Sequence, residues 1–327
     1  MTDNLRACLL MVATMAGFSL EDLLIKQIAA QVPVGQIVLL LGIGGSLFFA
    51  LAAASLRQRL WSRDLTSRPV LLRSGAEMVS TMAGVAGLVL IPLSLASSIL
   101  QAAPLLVTMG AAVFLREKVG WRRWSAVAVG LAGVLLILKP GGGSLSLGVL
   151  LSVIAVIGVA TRDLATRAIT GRISTLQLAF WGYGLSIPSG LVMLVIAQPT
   201  LVWPSPGLWA MLAAAQALGI TFYYTLTLAL RIGEPSAVVP FRYSRLVFAL
   251  ALGVLVLDER IDGQMLAGLS LVTGSGLYML LREARLGRAR RAAAIAASRA
   301  AAIAARRAAA IAATPAVHPS PVPPPPL

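Results

Sequence analysis

Apolar residues run along this chain in blocks of about 20, separated by short polar connections, a length that matches the ~30 Å hydrocarbon core of a bilayer. Ten such blocks predict helices over 7–30, 34–56, 70–91, 94–115, 122–138, 146–168, 175–197, 207–229, 236–257 and 263–281. Of the 327 residues, 58% are hydrophobic and 12% charged, more apolar side chain than a globular domain of this length buries. The solvent of the fold is therefore lipid, and the expected class is all-α and integral to the membrane. The first block resembles a leader peptide, but it carries Glu21, Asp22 and Lys26 and nine more spans follow, so it is expected to be retained.

Two short motifs occur twice at nearly one offset. Asp22-Leu-Leu-Ile-Lys26 returns as Asp163-Leu-Ala-Thr-Arg167, 141 positions on, and Leu115-Arg-Glu-Lys-Val119 returns as Leu257-Asp-Glu-Arg-Ile261, 142 positions on. Two ordered matches indicate an internal duplication, with a first five-helix repeat over 1–141 and a second over 142–283. Five is odd, so the second copy enters the bilayer upside down. Ten transmembrane helices in two inverted five-helix repeats are the architecture of a transporter.

Loop charges set the expected orientation. Arg57, Arg59, Arg63 and Arg68 follow span two, Arg116, Lys118, Arg122 and Arg123 follow span four, Arg167 and Arg172 follow span six, and Arg231 follows span eight. The alternate loops hold only Lys139 and Arg260, which places both termini in the cytoplasm. The segment 284–327 changes to Ala and Arg, with Arg291, Arg299 and Arg307 eight residues apart and a proline-rich end. Two readings are open for it: a polybasic stretch drawn to anionic lipid, or a low-complexity cytoplasmic tail.

The remaining composition excludes several chemistries. One cysteine, Cys8, forms no internal disulfide, and one histidine, His318, lies in the tail, so no metal site is expected. The net charge of +15 sits in loops and tail between lipid-length blocks, which argues against a nucleic-acid partner. Gly141-Gly-Gly143 follows Lys139 rather than preceding a lysine, so it is a turn and not a phosphate loop. With no HExxH or GxSxG pattern either, no catalytic residue and no cofactor are expected.

Charge inside the spans is where function is sought, because each such group costs at least ~2.5 kcal/mol unless it meets a partner or a watery cavity. Ten qualify: Glu21, Asp22, Lys26, Arg73, Glu77, Arg162, Asp163, Arg167, Arg242 and Arg245. Asp22 with Lys26, Arg73 with Glu77, and Asp163 with Arg167 are each four apart and share a helix face, so they either neutralise one another structurally or line a path. Arg242 and Arg245 have no acid within one turn and need a partner from another helix, with Glu21, Glu77 and Asp163 as candidates, or the substrate itself. Their planar guanidinium groups suit carboxylate, phosphate or imide oxygens. The candidate substrate path is therefore Arg242, Arg245, Glu77, Arg73, Asp22 and Asp163, with Tyr243 and Tyr223 from an aromatic set concentrated in the second copy. Pro104, Pro188 and Pro240 each remove a backbone hydrogen bond and either expose polar backbone to a site or make a static kink. Gly182, Ser186 and Gly190 read as close helix packing.

With Phe18-Ser-Leu-Glu-Asp-Leu-Leu-Ile-Lys26, Phe114-Leu-Arg-Glu-Lys-Val-Gly-Trp121 ahead of Gly130-Leu-Ala-Gly133, and Pro240-Phe-Arg-Tyr-Ser-Arg-Leu246, the chain resembles the EamA type of the drug/metabolite transporter superfamily over about 7–283. That resemblance implies a ten-helix bacterial inner-membrane carrier with a central cavity, alternating access without ATP hydrolysis, and a small-molecule substrate. The segments around Glu21-Asp22, Arg162–Arg167 and Pro240–Arg245 look most like the branch of riboflavin and S-adenosylmethionine uptake proteins. Riboflavin is preferred because the aromatic second copy could stack a flavin and the excess of intramembrane arginine disfavours a cationic sulfonium. An exporter of amino acids or metabolites is the alternative within transport, and a membrane scaffold or sensor the alternative outside it.

Overall fold

The computed structural model describes residues 3–114, 116, 120–138, 146–169, 173–232, 238–279, 281, 282 and 285. The expected boundary at 141, the glycine turn, the tail over 284–327 and most of the Leu115–Val119 motif lie outside these residues, as does the side chain of Arg167. Among the described residues the chain is helical, with no strand. The helices are α1 (Asp3–Ile28), α2 (Val34–Ser55), α3 (Arg68–Leu90), α4 (Leu93–Leu100), α5 (Ala103–Phe114), α6 (Trp121–Leu138), α7 (Leu147–Arg167), α8 (Thr175–Ala197), α9 (Pro206–Ile232) and α10 (Ser244–Leu257). A last helix, α11, covers 263–279. Among the described residues eight segments are long and apolar enough to cross a membrane, α4 and α5 together making one of them.

Spans four and nine are broken rather than continuous. Pro104 cannot donate to the carbonyl of Leu100, and the helix interrupts at Gln101 and Ala102 before α5 begins. In span nine the 3-10 turn Val239–Tyr243, holding Pro240, passes into α10 at Ser244. An offset of 142 takes Gln101 to Tyr243, so the two breaks fall at equivalent places in the two copies. The duplicated motif also repeats its backbone: Arg116 and its counterpart Asp258 are both left-handed, with φ of 53° and 51°, just past the ends of α5 and α10.

The largest helix contacts are exchanged with one another when the two copies are exchanged. Helix α1 lies along α9 as α7 lies along α3, α1 meets α10 as α7 meets α4 and α5, and α2 packs on its own counterpart α8. The α2–α8 contact is made by backbone. A Cβ on Gly190 would stand 2.6 Å from the carbonyl oxygen of Gly35, and one on Gly42 would stand 2.9 Å from the nitrogen of Ile187. Ser186 and Gly190 are thus packing residues, as their spacing suggests. Gly182 differs, since it faces open space.

One junction binds the copies together. Helix α3 ends and α4 begins around Pro92, leaving carbonyls of one helix and amides of the next without helical partners. Lys26 Nζ donates to the carbonyls of Leu88, at 2.9 Å, and of Ile91. Glu259, arriving from beyond α10, accepts from the amides of Leu93 and Ser94, the latter at 3.0 Å, and from the Ser94 hydroxyl at 2.5 Å. Cation meets carbonyl ends and anion meets amide ends, each where the helix dipole favours it. This corrects the expected Asp22–Lys26 pair. The carbonyls of Leu88, Val89 and Ile91, left over where α3 ends, offer the ammonium more than one carboxylate already held elsewhere.

Replacing Glu259 by Ala should lower the unfolding free energy of the purified protein in detergent by about 1–2 kcal/mol, the usual cost of losing a helix cap. Asp258→Asn, which keeps the left-handed turn, should cost less than about 0.5 kcal/mol. Equal effects from the two would contradict the capping role.

Candidate functional site

A cavity of about 250 Å³ lies over the seam of α3 and α7, bordered also by α1, α4 and the first turn of α10. Helix α3 presents Glu77, Thr81, Gly84 and Leu88, and α7 presents Ser152, Ala155, Val159 and Arg162. Each set advances by three or four residues and so forms a single stripe on its helix. The two helices can lie this close because a Cβ on Gly158 would stand 2.8 Å from Cβ of Ser80, and one on Gly87 would stand 2.6 Å from Oγ of Ser152. From Glu77 to Leu88 the stripe runs roughly 16 Å at 1.5 Å per residue, so the space is long and narrow.

Charge gathers at one end. Arg162 Nη1 donates to Glu77 Oε1 at 3.1 Å, while its Nε and Nη2 donate to Asp163 Oδ1 at 3.0 and 2.9 Å. Arg73 closes the group, with Nη2 at 3.5 Å from Glu77 Oε2. Across the cavity Arg245 Nη2 meets Asp22 Oδ2 at 2.6 Å, and the two side chains are 22% and 18% exposed. The guanidinium of Arg245 also stands 5.6 Å over the ring of Phe18, and the Ser19 hydroxyl donates to its backbone carbonyl at 3.1 Å. The four charges that border the cavity, Asp22, Glu77, Arg162 and Arg245, sum to zero. Nε of Arg245, Nε of Arg73 and Oε2 of Glu77 are sealed from solvent without a hydrogen-bond partner.

Asp22, Glu77 and Arg245 thus border the cavity, and Arg73 and Asp163 hold its ion pairs from behind. Arg242 does not border it and has no ion pair among the described residues. Its side chain is exposed, although its electrostatic neighbours, Asp163, Arg162 and Arg245, belong to the charged group. Tyr223 stacks edge-on against Phe49 at 6.0 Å, with Tyr183 5.6 Å from the same ring. Tyr243 turns away: it is buried with its hydroxyl against Gly276. Sequence reasoning named Arg162 as an intramembrane charge but left it out of the path. Its spacing from Ser152 and Ala155, small residues on the same helical stripe, was the available signal.

The two copies diverge at this place. Arg162 and Glu77 of the α7–α3 pair correspond, by the offsets of 141 and 142, to Glu21 and Gly219 of the α1–α9 pair. Glu21 therefore faces a glycine, whose Cβ would stand 2.6 Å from Glu21 Oε1 and 3.1 Å from the Tyr183 hydroxyl. The α7–α3 contact carries the ion pair and the equivalent α1–α9 contact an acid beside an aromatic cluster, so the charged end of the cavity belongs to a single side of a symmetric frame.

A helical membrane protein of two like halves, with paired charges at the end of a cavity, has the build of a carrier of small molecules. The EamA-like transporter family matches residues 5–139 and again 146–281, and the chain belongs to that family. It is a multi-pass membrane transporter of the drug/metabolite superfamily. It is 29% identical over 238 residues to a riboflavin transporter of Rhizobium johnstonii, covering 73% of this chain and 76% of that one. To an S-adenosylmethionine uptake transporter of Rickettsia prowazekii it is 25% identical over 199 residues, 61% of this chain and 67% of that one. To the pseudopaline exporter CntI of Pseudomonas aeruginosa it is 25% identical over 270 residues, 80% and 90% of the two chains. A solved crystal structure shares the fold with a TM-score of 0.59 at 22% identity, covering 85% of this chain and 99% of its own.

If Asp22 and Arg245 act as one pair, removing both should cost less than the sum of the single changes. Asp22→Asn and Arg245→Gln are expected to show a coupling of about 1 kcal/mol or more in a double-mutant cycle of thermal unfolding. Strict additivity would mean that the 2.6 Å contact contributes nothing to the folded state.

Proposed function

We propose that this chain is a secondary transporter that takes up riboflavin, or a closely similar vitamin-like metabolite, by alternating access across a bacterial inner membrane, with both termini cytoplasmic. The observation that carries the reading is the narrow cavity whose charged end is lined by two guanidinium groups yet holds zero net charge. Guanidinium groups at a cavity edge suit a ligand rich in oxygen acceptors, such as the imide edge of a flavin. A neutral vitamin keeps that balance, whereas a permanently cationic sulfonium adds a charge without a partner. Relatives named as riboflavin transporters support this choice, and those named for S-adenosylmethionine uptake keep that substrate as the second reading.

Asp22, Glu77 and Arg245 contact the substrate in this account, Arg73 and Asp163 hold the bordering charges in place, and Arg242 with Tyr223 belongs to the approach. Tyr243 serves packing against Gly276. Inversion of the two copies supplies the motion, because exchanging their conformations opens the cavity to the opposite face.

The test is uptake of labelled riboflavin by a bacterial strain unable to synthesise it. The parent chain should accumulate the vitamin, and Arg245→Gln at matched membrane abundance should reduce the initial rate at least about 10-fold, as for other lost charge-assisted contacts. A well-inserted parent with no uptake removes the import assignment, and S-adenosylmethionine uptake then becomes the first alternative to assay.

A further inference from the structure

Within a membrane helix, a serine or threonine hydroxyl ordinarily returns to the carbonyl three or four residues before it, and many in this chain do. Ser80 donates to the carbonyl of Glu77 at 3.0 Å and Ser152 to that of Gly148 at 2.9 Å, although both border the cavity. Two other hydroxyl residues of the cavity wall behave differently. Among the described residues neither Thr81 Oγ1 nor Ser97 Oγ has a hydrogen-bond partner, and neither is among the side-chain atoms sealed from solvent. Both hydroxyls therefore open onto the cavity itself.

Their positions are complementary. Thr81 stands one turn from Glu77 on α3, at the charged end, and Ser97 stands on α4, one turn from the capped Ser94, towards the α3–α4 junction. Two free hydroxyls on different helices thus sit along a narrow space, one beside the group of charges and one towards the junction. The same wall holds Gly84, Ala96 and Ala155, which leave room and carry no polar side chain. An apolar substrate tail would leave both hydroxyls without partners in a dry site, at a cost, whereas a tail carrying its own hydroxyls would satisfy them.

We propose that Thr81 and Ser97 form a subsite that recognises a hydroxylated carbon chain, while the Asp22–Arg245 and Glu77–Arg162 pairs take the polar ring system of the same molecule. This rests on the flavin reading above and deepens it: the substrate is selected at two ends, and the hydroxyl pair reads the open-chain polyol. The proposal excludes substrates of equal polarity at the charged end that lack hydroxyls at the other.

The test compares two ligands with one ring system, using quenching of flavin fluorescence on the purified full chain in detergent. Riboflavin carries the hydroxylated chain, and lumiflavin replaces it with a methyl group. The parent should bind riboflavin more tightly than lumiflavin. The double variant Thr81→Val/Ser97→Ala should weaken riboflavin about 10-fold, the worth of two hydrogen bonds, and leave lumiflavin unchanged. Thr81→Ser, which keeps the hydroxyl, should retain the preference and guards against a variant that merely misfolds. A double variant that weakens both ligands equally, or that keeps the parent's preference, overturns the subsite and leaves the flavin reading standing. Equal binding of both ligands by the parent does the same. A parent that binds neither flavin overturns the flavin reading and the subsite with it.

Discussion

Every helix end leaves backbone groups without partners, and where lipid rather than water surrounds the fold another part of the chain must supply them. The α3–α4 junction is where that demand is met most fully. Lys26 satisfies carbonyls at the end of α3 and Glu259 satisfies amides at the start of α4. These are the basic residue of one duplicated motif and the acid of the other. The two short sequences that reveal the duplication thus converge on one structural task, contributed from opposite copies. The cavity borders this junction through Leu88, Ala96 and Ser97, so the same contacts that make the break tolerable hold one end of the site in shape.

Charge follows the same rule. Arg245 and Asp22 come from α10 and α1, and Arg162 and Glu77 from α7 and α3, so both bordering pairs join helices of different copies. A pair of this kind does double duty: it removes the expense of isolated charge in lipid and sets both charges at the edge of a narrow space. Function then depends on the places where the copies differ. Glu21 opposite Gly219 and Arg162 opposite Glu77 occupy one position in the repeat, yet only the second makes an ion pair. A symmetric frame supplies the architecture, and its local asymmetry supplies a site that can distinguish one end of a molecule from the other.

Much of this was legible in the sequence, for identifiable reasons. Apolar block length reports the bilayer directly, and the offsets near 142 report the repeat, so spans, helical class and the EamA family followed without coordinates. Helical spacing also found Arg73 with Glu77, because a pair four apart is local. It misled for Asp22, whose partner Arg245 lies 223 residues away rather than at Lys26. Periodicity says which side chains share a face and nothing about which helix lies opposite. For the same reason Tyr243, expected on the path as one of the second copy's aromatic set, points instead at Gly276. The break in span four was signalled by Pro104, but the free hydroxyls of Thr81 and Ser97 carried no signal, since any helical serine or threonine can bond its own backbone.

Transport by this route requires the α3–α7 cavity to be occupied by the transported molecule. Gly84 gives direct access to it: the residue borders the cavity, and a Cβ there would meet only Ala155 Cβ, at 3.5 Å. In a Cys8→Ser background, which removes the chain's one cysteine, the Gly84→Cys variant can be labelled with a water-soluble thiol reagent while riboflavin is titrated. Labelling that slows as riboflavin saturates transport is the expected result. A cysteine labelled at the same rate with and without saturating, transported riboflavin would place the substrate elsewhere and contradict the account.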